Sequence, residues 1–102
     1  IDIAIAKDLY EQGTLFIDAR AEEYFNEGHI PGAICSDELD ELIDKIYSFD
    51  NLEKAFVVYC SDDDCGSSEE LSYQLYDQGF ESIYLFKGGW KQWTENNLPA
   101  KY

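Results

Sequence analysis

Residues 55–60 read Ala55-Phe56-Val57-Val58-Tyr59-Cys60, and Ser61-Asp62-Asp63-Asp64-Cys65-Gly66-Ser67 follows directly. The first run is continuously apolar and rich in β-branched and aromatic side chains, which predicts a central strand covered on both faces. The second is a short acidic loop, after which Ser67, with Glu70 three residues on, predicts an N-cap and capping box opening a helix. Such a helix aims its free N–H groups and positive dipole end at the loop centre, where a thiolate is stabilised. The loop can also present several backbone N–H groups as an anion nest. Cys60 is therefore the candidate nucleophile, cradled by Ser61, Asp62, Asp63, Asp64, Cys65, Gly66 and Ser67.

Outward from this stretch the chain alternates strands and helices. Ala6, Leu9 and Tyr10 fit a first helix that Gly13 ends, and Leu15-Phe16-Ile17-Asp18 reads as a short buried strand. Ala21, Tyr24 and Phe25 make a short helix stopped by Gly28, and Ala33 to Cys35 a brief strand. Leu39, Leu42, Ile43, Ile46 and Tyr47 recur at helical spacing with acids between them, an amphipathic helix whose solvated face is the acidic stretch from Asp37 to Asp44. Leu71 and Leu75 continue a helix to Gly79, Ser82 to Phe86 is a strand, and Trp90 and Trp93 mark a last helix before Pro99. The class is α/β: three layers, α/β/α, around a mostly parallel sheet of about five short strands. Ligands of such sheets bind beyond the carboxyl ends of the strands, so the loops after Asp18 and after Cys60 matter most.

The chain of 102 residues has room for one domain, over 1–102. With 7 basic and 22 acidic side chains its formal net charge is −15, which repels phosphate backbones and anionic lipid headgroups. Nucleic acid is thus excluded as a partner, and 55–60, the longest apolar run, is too short to cross a bilayer, so no membrane contact is expected from the domain itself. The chain opens at Ile1 and has no Met, so a longer precursor is expected. Three cysteines, Cys35, Cys60 and Cys65, are too few for a disulfide scaffold.

In order and spacing, Phe16-Ile17-Asp18-Ala19-Arg20, Glu23, Gly28-His29-Ile30-Pro31-Gly32-Ala33, Val57-Val58-Tyr59-Cys60, Gly79-Phe80, Lys87-Gly88-Gly89-Trp90, Trp93 and Leu98-Pro99 resemble the rhodanese-like (sulfurtransferase) domain over nearly the whole chain. The resemblance implies that Cys60 takes a sulfane sulfur from a donor, becomes a persulfide, and passes the sulfur to a thiol acceptor, with no cofactor and no metal. It leaves the oligomeric state open. Domains of this fold with a C-x4-C loop often follow an N-terminal signal or membrane anchor, which points to an extracytoplasmic location, with the cytoplasm as the alternative.

The loop departs from the family pattern, which has Arg or Lys close after the cysteine; here three aspartates and Cys65 stand instead. The related phosphatase pattern C-x5-R fails as well, since Gly66 and Leu71 occupy the sixth positions after Cys60 and Cys65. One carboxylate about 7 Å away raises a thiolate by roughly 1 kcal/mol, against about 0.3–1 kcal/mol returned by a helix terminus. Dianionic thiosulfate is disfavoured on the same ground, and a neutral or cationic thiol, or a protein persulfide, suits the site better. Cys65 is a resolving thiol, a structural disulfide partner or a plain buried residue. Zinc lacks a compact ligand set, and the acidic run breaks the calcium-loop pattern at Gly66.

Arg20, the only arginine, either lends positive charge to the loop or pairs with an acid such as Glu23; Asp18 beside it reads as a hydrogen-bonding support. His29, in a tight turn, satisfies backbone groups more readily than it serves as a base. Cys35 reads as a buried thiol, and Trp90 and Trp93 as packing. Three functions remain: a sulfurtransferase using Cys60, a dithiol redox module using Cys60–Cys65, and a non-catalytic interaction or regulatory module.

Overall fold

The structure, a computed structural model, describes residues 1–35, 37–48, 55–61 and 66–102. Its elements run α1 (Ile3–Glu11), β1 (Leu15–Asp18), α2 (Glu22–Glu27), α3 (Leu39–Ser48), β2 (Phe56–Tyr59), α4 (Ser67–Asp77), β3 (Ile83–Phe86) and α5 (Gly89–Glu95). The three strands form a parallel sheet in the order β1-β2-β3, with Phe16 beside Val57 and Val57 beside Tyr84. Every residue of β1 and β2 is buried, as their unbroken apolar runs require.

Period-two alternation sends the strand side chains to two separate cores. On one face Phe16, Val57, Tyr59 and Phe86 meet Ala6 of α1 and Trp93 of α5. On the other, Leu15, Ile17, Phe56 and Val58 meet Leu42 and Ile46 of α3 and Leu75 of α4. Helices thus cover both faces, giving the three-layer α/β/α arrangement.

Among the described residues the sheet has three strands, not about five. Ala33 to Cys35 contributes a single parallel bridge, Ile17 to Ile34, in which the Ile34 N–H donates to the Phe16 carbonyl and its own carbonyl accepts from Asp18. The turn at Pro31-Gly32 comes so close before Ile34 that one bridge is all this segment forms with β1. The chain end adds an isolated antiparallel bridge between His29 and Lys101.

The predicted capping box is also corrected. Gly66, not Ser67, is the N-cap of α4; it is already in the right-handed helical region, and its carbonyl accepts from the Glu70 N–H at 3.0 Å. Ser67 lies inside the first turn, so its hydroxyl does not cap the helix. Among the described residues no helix is long and apolar enough to cross a membrane.

Candidate functional site

The site grows from the carboxyl ends of β1 and β2. There the Ala19 N–H donates to the Tyr59 carbonyl at 2.8 Å, tying the loop after β1 to the end of the central strand. Cys60 follows Tyr59, is 2% exposed and is disulfide-bonded. In that state its sulfur neither titrates nor attacks; reduction must precede any nucleophilic chemistry. Cys35, by contrast, is a free thiol. Asp62, Asp63, Asp64 and Cys65 lie outside the described residues, while Ser61, Gly66 and Ser67 are all exposed at the two ends of that stretch.

The backbone of Cys60 is held from the other side of the sheet. A helix leaves its first N–H groups without internal partners. In α5 those of Trp90 and Lys91 donate to the carbonyls of Cys60 and Ser61, each at 2.8 Å. The contact is close enough to dictate a residue type. Gly89 has φ +61, in the left-handed region, and a Cβ there would collide with the Cys60 carbonyl oxygen. Gly89 is thus a positioning residue for the candidate nucleophile. Its only trace in the sequence is the Gly88-Gly89 pair before Trp90.

Asp18 and Arg20 form the second part of the site. The Arg20 Nη2 lies 2.6 Å from the Asp18 Oδ2, with 7% and 0% of the two side chains exposed. Arg20 Nε and the Arg20 backbone N–H also donate to this carboxylate, and Nη2 donates to the Gly28 carbonyl at 2.6 Å. The guanidinium lies over Trp90, 5.3 Å from the ring centroid. Burial works against the charged guanidinium, but Asp18 outweighs it and holds the Arg20 pKa above its ordinary value. Arg20 therefore pairs with Asp18 and not with exposed Glu23: a carboxylate buried at a strand end demands a partner, whereas Glu23 has water. Its positive charge is spent inside this pair.

Behind the pair, the Tyr59 hydroxyl accepts from the Ile30 N–H at 3.2 Å; burial, then the Asp18 carboxylate, push it above the ordinary tyrosine range. The Cys35 thiol donates to the Arg20 carbonyl at 3.2 Å. Burial, with Asp18, Asp37 and Glu22 adding to it, pushes that thiol up to about 12. The His29 ring stacks on Phe25 with centroids 3.8 Å apart, and its Nδ1 lies 2.8 Å from the Phe25 carbonyl. Phe25 thus holds the ring in its turn.

Where the loop after β1 meets the first turns of α3 and α4, a cavity of about 340 Å³ opens. Ala19, Arg20, Leu39, Leu42 and Leu71 line it together with Asp37, Glu70 and Gln74. Among the described residues no three His, Cys, Asp or Glu side chains gather closely enough to hold a metal ion.

A model of the rhodanese-like domain matches residues 2–96. The chain is 34% identical over 88 residues to thiosulfate sulfurtransferase GlpE of Pseudomonas savastanoi pv. phaseolicola, covering 86% of this chain and 79% of that protein. It is 25% identical over 111 residues to the chloroplastic thiosulfate sulfurtransferase 16 of Arabidopsis thaliana, covering 99% and 91%. Among solved structures, the rhodanese-like domain of the Alr3790 protein from Anabaena sp. superposes with a TM-score of 0.77 at 26% identity, over 99% of this chain and 76% of that one. The BH2092 protein of Bacillus halodurans shares the fold, with a TM-score of 0.81 at 23% identity over 99% and 74%.

Proposed function

Because the chain belongs to the rhodanese-like domain family, we propose that it is a sulfurtransferase that carries sulfane sulfur on Cys60. The Cys60 thiolate attacks the outer sulfur of a donor hydropersulfide; the donor's S–S bond breaks and its thiolate leaves with the electron pair. An acceptor thiolate then attacks the outer sulfur of the Cys60 persulfide, and the Cys60 thiolate is released. No net oxidation occurs. The observation that carries this reading is the placement of Cys60, at the carboxyl end of the central strand with its carbonyl clamped by α5. The curated relatives are named for thiosulfate. For this chain we propose a neutral or cationic thiol persulfide, or a protein persulfide, as donor, because the net charge is −15 and aspartates occupy 62–64.

The test uses the reduced protein, freed of reductant and offered sulfane-sulfur donors, glutathione persulfide among them. The expected product is heavier by about 32 Da, one sulfur atom, at Cys60. Cys60→Ser abolishes the adduct. An unmodified wild-type protein with every donor overturns the reading.

The disulfide at Cys60 favours a second reading, a dithiol module in which Cys65 is the partner. Attack of the Cys65 thiol on the inner sulfur of a Cys60 persulfide forms the Cys60–Cys65 disulfide and releases hydrogen sulfide. Free-thiol titration against a glutathione redox buffer separates the two, since a reversible module yields a reproducible midpoint and a dedicated sulfurtransferase does not.

A further inference from the structure

We propose that the cavity between the β1–α2 loop and the first turns of α3 and α4 is the acceptor subsite, and that it selects small thiols carrying an ammonium group. This rests on the sulfur-transfer reading of Cys60 and adds the chemical class of the acceptor. At about 340 Å³ the cavity suits a small molecule, at the low end of ordinary ligand sites. It lies at the correct end of the sheet. Ala19, which lines the cavity, donates its N–H to the carbonyl of Tyr59, the residue before Cys60, at 2.8 Å.

The lining then sorts ligands by charge. Leu39, Leu42 and Leu71 offer a surface for methylene groups, while Asp37 and Glu70 each add a carboxylate. Asp37 is positioned, since one of its oxygens accepts from the Glu22 N–H at 3.1 Å. Among the described residues the one cation in the wall is Arg20, which Asp18 neutralises. The lining therefore attracts ammonium and repels carboxylate.

Cysteamine, 2-mercaptoethanol and mercaptoacetate share a size and differ in charge, so they probe the site directly. The persulfide-loaded protein is mixed with each, loss of sulfur from Cys60 is timed by mass, and rates are taken per thiolate. The cysteamine-to-mercaptoacetate ratio is compared between wild type and Asp37→Asn/Glu70→Gln, which cancels the acceptors' intrinsic reactivity; the Asn oxygen still accepts from Glu22. Two exposed carboxylates, each attracting ammonium and repelling carboxylate, predict a ratio several-fold lower in the variant, and a matching fall in wild type at high salt. An unchanged ratio, with sulfur still discharging, overturns the acceptor subsite and leaves the sulfurtransferase reading intact. Where no sulfur loads at all, that reading fails. Titration with ethanolamine then decides the cavity: saturating amide shifts at Leu71 and Gln74, weakened in the variant, uphold ammonium binding, and their absence overturns it.

Discussion

On one face of the sheet Trp93 meets Tyr10, Phe16 and Phe86 edge-on, with ring centroids 5.3–6.4 Å apart, while its indole N–H donates to the Pro99 carbonyl. On the other face the contacts are mostly aliphatic, and at the carboxyl end the walls part to leave the cavity lined by Leu39, Leu42 and Leu71. The first face concentrates aromatic burial around one indole, and α5 transmits that rigidity to Cys60 and Ser61 through one backbone hydrogen bond each. The second gives up some packing and leaves an open cavity. A rigid wall behind the backbone of Cys60 and a recess at the same end of the sheet are different physical requirements, and the two faces divide them.

That division is broken most directly by Trp93→Ala. The indole is fully buried, and its removal should cost about 4 kcal/mol in urea denaturation, against about 1 kcal/mol for Leu71→Ala at the cavity edge. Equal costs would mean that the aromatic face is not the stabilising one. Gly89→Ala tests the connection between α5 and Cys60. A positive φ and a Cβ against the Cys60 carbonyl predict about 2 kcal/mol of destabilisation, together with slower sulfur loading at Cys60 in the fraction that stays folded. Loading at the wild-type rate would show that the clamp does not position the sulfur.

A further expected effect concerns alkaline pH. The Cys35 thiol has an ordinary pKa of 9.0 and is pushed up to about 12 in the folded chain, first by burial and then by Asp18, Asp37 and Glu22. Between those values the unfolded chain releases a proton that the folded chain keeps. The contribution is therefore fully present below pH 9.0 and is lost as pH rises toward about 12. Tyr59 acts in the same sense from a higher range. Urea midpoints should fall across this window, and Cys35→Ala should flatten part of the slope; an unaltered slope would assign the alkaline loss elsewhere.

Much of the fold was legible because burial on two faces writes a continuous apolar run at 56–59, and burial on one face writes the helical period of Leu39, Leu42, Ile43 and Ile46. The strand count was less so. Ala33-Ile34-Cys35 has strand-like residues, yet whether it pairs over one residue or three depends on how the Pro31-Gly32 turn delivers it to β1. The cap of α4 failed for a related reason: Ser67 and Glu70 have the right spacing, but Gly66 already lies in the helical region and begins the helix one residue sooner. At the site, acids at 18, 22 and 23 all stand near Arg20 in the chain, and burial alone selected Asp18.

From the order of its residues alone this chain declared a layered α/β domain and a cysteine at the end of its innermost strand, because periodicity and strand ends are local properties. The partner of Arg20, the closeness of Gly89 to the Cys60 carbonyl and the cavity walled by Asp37 and Glu70 join residues far apart in sequence or choose among equivalent neighbours. Each is settled by which groups lose water when the layers close, and that is a property of the packed molecule.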